Sequence, residues 1–421
     1  MAQAGDIEGE TSETIAELTK TYGMGSTLYE KMKEAREKWR KEVINIAVIG
    51  QARQGKSSLI NAFMGEKVAE VSALGVTTTD VRPFPHPSNS NIILWDVPGV
   101  DAVNHQRDVY IDSIGYKEHP YDFFLIVTKD IFSSDAKFVA ELVQKENKKF
   151  YLVRTHIDHS IRDEKEDNED MSEEEVVAKI RKNLQTEIER LGFDTEHKVY
   201  IVNCRRPKQL DFPRLQRDIC EDNVSTWKRE AFLLTIRAFG QQMIDMKFDM
   251  FKTRIYKVAL ASAAGGAIPI PGVGAMIDMV ILIEELLTYF VGFGLTRGAI
   301  ASLEELNGLE SGTIESDIAV SMEKDHKLLF LIRKEAPDRI LSKEALKTAA
   351  LTIVKTCSGI ILTELTLIAA SEAVESSVAW FLPILGSVIA AGISYSVTAY
   401  QLRLILKEVK EVAELINACI K

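Results

Sequence analysis

Along the first half of the chain, short continuous apolar runs alternate with longer segments whose apolar positions recur every three or four residues. The runs are INIAVIG (44–50), NIILWDVPG (91–99), DFFLIVTK (122–129), KFYLVRT (149–155) and VYIVNC (199–204). Strands separated by helices predict a doubly wound α/β domain with a mostly parallel sheet, its ligand at the strand C-terminal ends. This pattern extends over 43–220. Before it, residues 12–43 read as helices, the second placing Leu28, Met32, Ala35, Trp39 and Val43 on one face. After Cys220 the strand signal stops and the helical period continues to Lys421. The expected organisation is therefore N-terminal helices (1–42) packing on an all-α domain that 221–421 completes, with the α/β domain between. The acidic run Asp163 to Glu175 reads as a solvated loop leading into a helix.

Two uncharged stretches in the helical half, Val258 to Ile277 and Ser376 to Leu402, reach the roughly 20 residues that a bilayer span needs. Both are rich in Ala, Gly and Ser, and each contains a Pro-bearing break, IPIPGVG (268–274) and FLPILGS (381–387). Two helices meeting at a turn inside a helical core fit that composition better than insertion does. The likeness of the two breaks suggests a weak internal duplication. In the last helix Leu402, Ile405, Val409, Val412, Ile416 and Cys419 form a stripe expected to face a core.

Composition narrows the function. The 421 residues carry a net charge of −11, which argues against a general nucleic-acid binder and against attachment to anionic lipid by charge alone. Cys204, Cys220, Cys357 and Cys419 are scattered without metal-ligand spacing, as expected in a reducing, cytosolic compartment. The start MAQAGDIEGETSE predicts no secretory signal, and Ala2 predicts no N-myristoyl group.

The chemistry begins at GQARQGKSS (50–58), directly after the first apolar run. A strand, this loop and an amphipathic continuation (Leu59, Ile60, Phe63) form a P-loop, which cradles nucleoside triphosphate. Gly50 permits the turn off the strand, and Gly55 admits phosphate to the backbone N–H groups at a helix start. Lys56 reaches the β and γ phosphates, and the Ser57 hydroxyl takes a Mg²⁺ position. Arg53, Gln54 and Ser58 complete the candidate phosphate-binding set. Asp96-Val97-Pro98-Gly99 supplies a second element, with the Asp96 carboxylate for Mg²⁺ and the Gly99 N–H for the γ-phosphate. Between them, in Gly75-Val76-Thr77-Thr78-Thr79-Asp80, a switch threonine should give oxygen to Mg²⁺ and γ-phosphate. Thr78 is the choice, with Thr77 or Thr79 as alternative registers. Ser57, Thr78 and Asp96 are thus the expected metal ligands.

Base choice falls to Thr155-His156-Ile157-Asp158, where Asp158 accepts from the ring N–H and exocyclic amine of guanine. GTPases commonly have Lys where this chain has His156, and an imidazole lacks the long aliphatic reach. Asn203 and Cys204 lie in the loop that closes over the base.

On these motifs, with WDVPG, YDFFLIV, KFYLVRTHID and LDFP (210–213), the chain resembles the immunity-related GTPases, the interferon-inducible p47 type within the dynamin-like large GTPases. That resemblance implies a GTPase, with Mg²⁺ as cofactor, that dimerises or oligomerises through its G domains. It also implies a cytoplasmic protein with peripheral association to intracellular membranes, in innate defence. Two positions depart from GTPase patterns. Val100 stands where small GTPases have a water-orienting Gln, and Val76 where family members have a catalytic Glu two residues before the switch threonine. Instead Arg53 sits inside the P-loop, where the related guanylate-binding proteins have an Arg that acts as a cis finger upon pairing. The expected catalytic set is therefore Arg53, Lys56 and Thr78, with Arg53 as an exposed loop residue or an ion-pair partner as the other reading. Two competing functions remain, a nucleotide-gated scaffold with little hydrolysis and a membrane-inserted helical protein governed by a GTPase head.

Overall fold

The computed structural model describes residues 38–70, 80–99, 110, 114–116, 118, 120–192, 199–222, 225–266, 273–326, 329–330, 333 and 391–420. They fall into two compact units, one holding Glu42–Met243 with Ala301–Thr313 and Asn417–Lys421, the other holding 38–41, Ile244–Ile300 and Ile314–Ile416.

The first unit is built on six strands, β1 (Ile44–Gly50), β2 (Arg82–His86), β3 (Asn89–Pro98), β4 (Phe123–Thr128), β5 (Lys149–Arg154) and β6 (Val199–Ile201), in the order β2-β3-β1-β4-β5-β6. All neighbours are parallel except β2 and β3. Chain order reverses at β1, which has β3 on one side and β4 on the other, so the C-terminal end of β1 is the switch point where such sheets bind ligands. The apolar runs follow from burial on both faces, every residue of β4 being buried. The helices between and after these strands are α1 (Lys56–Met64), α2 (Ser134–Lys145), α3 (Ile157–Asp167), α4 (Glu173–Arg190), α5 (Phe212–Glu221) and α6 (Thr226–Thr235).

Three expectations change here. A sixth strand, β2, is present although its sequence RPFPH carries two prolines; it pairs only with β3, at the sheet edge where a missing N–H is tolerated. The acidic run is not all loop: Asp163 to Asp167 end α3, and α4 starts within it through a capping box in which Ser172 and Glu175 satisfy each other's backbone N–H. The first unit also extends past Cys220, because α6 buries Ala231, Phe232, Leu233 and Leu234 and its Thr235 hydroxyl takes a bond from Asn89 Nδ2 at the start of β3.

The second unit is helical: α7 (Gln241–Gly266, from Ile244 on), α8 (Val273–Phe293), α10 (Thr313–Asp325, from Ile314 on) and α11 (Ala391–Cys419, through Ile416), with the start of α9 (Arg297–Asn307). Phe251 on α7 meets Tyr289 and Phe293 on α8 at ring distances of 4.7 and 5.3 Å. The Arg254–Glu285 pair lies among them at 2.7 Å with both side chains 1% exposed. On its other side α7 meets α11 through Asp245–Lys410 and Tyr256–Arg403, each at 2.7 Å. The α11 stripe Leu402, Ile405, Val409, Val412 and Ile416 is buried, while Cys419 is half-buried.

Of the first uncharged stretch, 258–266 end α7 and 273–277 begin α8. Among the described residues the candidate span by length and composition is instead Leu282–Asn307, of which 61% is buried. It is interrupted between α8 and α9 and contains Glu285. Residues 376–390, with FLPILGS and the duplication it suggested, lie outside the described residues, as do 267–272 and the N-terminal helices up to residue 37. Trp39 is buried in a short 3-10 helix (Lys38–Lys41), but Val43 is 45% exposed.

Candidate functional site

Gly50 closes β1 where β4 passes closely: a Cβ there would lie 2.6 Å from the Val127 carbonyl oxygen. Beyond it the chain curls through two residues of positive φ, Arg53 (62°) and Gly55 (83°), before α1 begins. A side chain at Gly55 would also meet Thr155 Oγ1 at 2.8 Å and the His156 ring at 2.9 Å. Gly55 caps α1 without a side-chain hydrogen bond, which leaves the first-turn amides and the helix dipole open to an anion.

Lys56 folds back over this loop. Its Nζ donates to Gly50 O at 2.8 Å and Gln51 O at 3.2 Å and lies 3.7 Å from Asp96 Oδ1. Burial lowers the pKa of the ammonium, and Asp96 opposes that shift. Asp96 reaches this point because β3 runs parallel to β1 with Val48 opposite Asp96. Two positions on, Pro98 pairs with Gly50, and Gly99 is so near the loop that a Cβ would stand 3.1 Å from Gln51 N. Ser57 and Ser58, half-buried, form the first turn of α1 with Lys56. The set of a buried carboxylate and a helix-start hydroxyl fits Mg²⁺, which takes one or two such protein groups and completes its shell with phosphate and water.

The loop after β5 is fastened to the P-loop. Thr155 is 1% exposed, and its hydroxyl donates to Gln54 O at 2.7 Å and lies 3.3 Å from Thr128 O. His156 adopts positive φ (52°) as the N-cap of α3 and its ring rests against Gly55. Burial first, then His159, Arg154 and Lys129, lower the His156 pKa against the pull of Asp158, favouring the neutral imidazole. Asp158 follows in the first turn of α3, its Oδ2 3.5 Å from Arg205 Nη1 and 3.9 Å from His159 Nε2. Beside it a groove of about 1070 Å³ opens between α3, α4 and the loop after β6, lined among others by Ile161, Val177, Arg181, Asn203 and Leu210. Asn203 Oδ1 accepts from the N–H of Arg205 and Arg206, which shapes that loop. Burial and then Asp158 push the Cys204 thiol up to about 12, so it stays protonated.

Of the expected site residues, Gly50, Arg53, Gln54, Gly55, Lys56, Ser57, Ser58, Asp96, Gly99, Thr155, His156, Asp158, Asn203 and Cys204 gather at this end of the sheet. Thr78, with Thr77, Thr79, Val76 and Val100, lies outside the described residues. Arg53 is exposed and makes no ion pair among the described residues. Three further groups shape the site. The Lys129 N–H donates to Gln54 Oε1, holding the β4–α2 loop to the P-loop. Buried Arg154 joins Thr155 O at 2.6 Å, Ser160 Oγ at 2.9 Å and Asp130 at 3.8 Å. Arg205 reaches Asp158. An arginine closing a buried strand run was the available signal for Arg154; nothing in the sequence marked the other two.

The family model described as Interferon-inducible GTPase (IIGP) matches residues 10–363. Among curated proteins, Interferon-inducible GTPase 5 of Rattus norvegicus is 30% identical over 280 residues, 65% of this chain and 60% of that protein. Interferon-gamma-inducible GTPase 10 of Mus musculus is 29% identical over 284 residues, 66% of this chain and 67% of that protein. The chain thus matches about three fifths of the length of the first relatives. Among solved structures, Era in complex with MgGDPNP and a 16S ribosomal RNA segment aligns at 16% identity with a TM-score of 0.28, covering 53% of this chain and 67% of that one. A bacterial dynamin pair aligns at 12% identity with a TM-score of 0.30, covering 99% and 74%. The fold rests on the strand order above, not on those shallow likenesses.

Proposed function

The chain belongs to the interferon-inducible GTPase family, and from that premise we propose that it binds GTP and hydrolyses it to GDP and phosphate. The observation that carries this reading is the Thr155–Gln54 hydrogen bond, which fixes the base-reading loop to the phosphate loop. A nucleotide whose phosphates enter the P-loop then has Asp158 within its span, and a carboxylate there selects a base offering two adjacent N–H donors, as guanine does and adenine does not. Lys56 moves from Gly50 O and Gln51 O to the β and γ phosphates, exchanging neutral acceptors for charged ones. Ser57, Asp96 and Thr78 would hold Mg²⁺, which would neutralise phosphate charge as the γ-phosphoryl group leaves. Gly99 offers its N–H to the γ-phosphate without a side chain that would strike the P-loop. His156, kept neutral, stands against Gly55 of the loop in place of a lysine stem and adds no positive charge beside the phosphates.

Val100 and Val76 cannot polarise water, so a single subunit hydrolyses slowly and Arg53 is the residue free to add charge when two G domains meet. Dimerisation or oligomerisation, action at intracellular membranes and a part in innate defence belong to the same reading; the names of the relatives support the last of these. Titration calorimetry with GDP, GTP and ADP tests the core of it. Heat with the guanine ligands and none with ADP is the expected result; silence with guanine ligands, or a preference for ADP, overturns it.

A further inference from the structure

We propose that Arg205 is an intramolecular stand-in for guanine, a specificity-determining residue that occupies the base-reading carboxylate until nucleotide displaces it. The proposal rests on Asp158 being the guanine reader. Guanine presents to a carboxylate the N1–H and the C2 amine, which with their shared carbon form a guanidine fragment. Arginine carries the same planar fragment. In this structure Arg205 Nη1 stands 3.5 Å from Asp158 Oδ2, and His159 approaches the same oxygen at 3.9 Å. The placement is shaped locally: Asn203 Oδ1 accepts from Arg205 N at 3.1 Å and Arg206 N at 3.2 Å, turning the loop so that Arg205 faces α3. The Arg205 side chain is 79% exposed and that of Asp158 33%, so the pair is loose enough to exchange. Guanine needs both carboxylate oxygens, so the guanidinium 3.5 Å from one of them competes with the base for it. Binding therefore swaps one planar N–H donor set for another, while an adenine base, lacking that edge, cannot compete for Asp158.

The consequence opposes simple electrostatics. Removing a positive side chain beside a polyanionic ligand ordinarily weakens binding, whereas removing this one strengthens it. Arg205→Ala should tighten GDP binding by about two- to fivefold at low ionic strength, the range an exposed ion pair supports. The gain should vanish near 1 M salt, where the screening length falls to about 3 Å. Arg206→Ala removes the same charge from the same loop without touching Asp158 and should give no gain. Binding of fluorescent GDP to wild type, Arg205→Ala, Arg206→Ala and Asp158→Asn, at low and high salt, separates the possibilities. An unchanged or weakened affinity in Arg205→Ala, or an equal gain in Arg206→Ala, overturns the competition while leaving the base reading intact. Undiminished GDP binding by Asp158→Asn overturns the base reading itself and the competition with it.

Discussion

His156 shows what a single residue reveals and conceals. Its position between Thr155 and Asp158 marks it as part of the base-reading motif, and its imidazole is a departure from the common lysine. The sequence did not show that its backbone takes a left-handed conformation or that its ring lies on Gly55. Those facts set its titration. Because burial and neighbouring cations lower its folded pKa, the unfolded chain takes up its proton at a higher pH than the folded chain does. The stability it contributes is present above the usual histidine range near 6.5 and is lost as pH falls through the lowered folded value. Melting temperature should therefore drop more steeply from pH 7 to pH 5 in wild type than in His156→Asn, since Asn tolerates positive φ and does not titrate. Parallel slopes for the two proteins would contradict this account.

At the scale of elements, what was legible divides by how local its cause is. The five strands legible as apolar runs are buried on both faces, and the P-loop, Asp96 and Asp158 fall at their C-terminal ends, where parallel topology puts chemistry. β2 has no such signature because Pro83 and Pro85 read as breakers, and only the edge position supplied by β3 makes them acceptable. The hydrogen bond that ties base loop to phosphate loop joins residues 101 apart, and the Arg205–Asp158 approach is also non-local, so no spacing rule reaches them. The helical unit makes the same point through Arg254 and Glu285, which no motif marks and which share an interior 2.7 Å apart. Glu285→Ala leaves the guanidinium buried without that carboxylate and should cost about 3–5 kcal/mol in denaturant unfolding. Replacing both with methionine keeps the volume and should be close to neutral. Equal losses in the single and double variants would show that packing, not the ion pair, decides the cost.

For the whole molecule, the two questions are where it sits and how it turns over. A buried ion pair in α7 and α8 is costly to expose to hydrocarbon, and 61% of the candidate span is already covered by protein. Protein recovered on membranes should therefore be released by alkaline carbonate; retention in the pellet would favour insertion. Turnover bears on Arg53. The residue is exposed, has a φ of 62° and makes no ion pair among the described residues, so nothing there anchors it away from a phosphate. Glycine accepts that φ without strain, which makes Arg53→Gly a cleaner test than alanine because the loop keeps its shape. If Arg53 completes the site only when two G domains face each other, phosphate release per subunit in wild type rises with protein concentration. In Arg53→Gly that rise should disappear, lowering the plateau rate by a factor on the order of 10³ while GDP affinity stays within about threefold. Arg53→Lys should recover little of it, since a point charge lacks the planar donor pair. A concentration dependence that survives in Arg53→Gly would place the activating charge elsewhere, and a wild-type rate flat at every concentration would favour the nucleotide-gated scaffold over the self-activating enzyme.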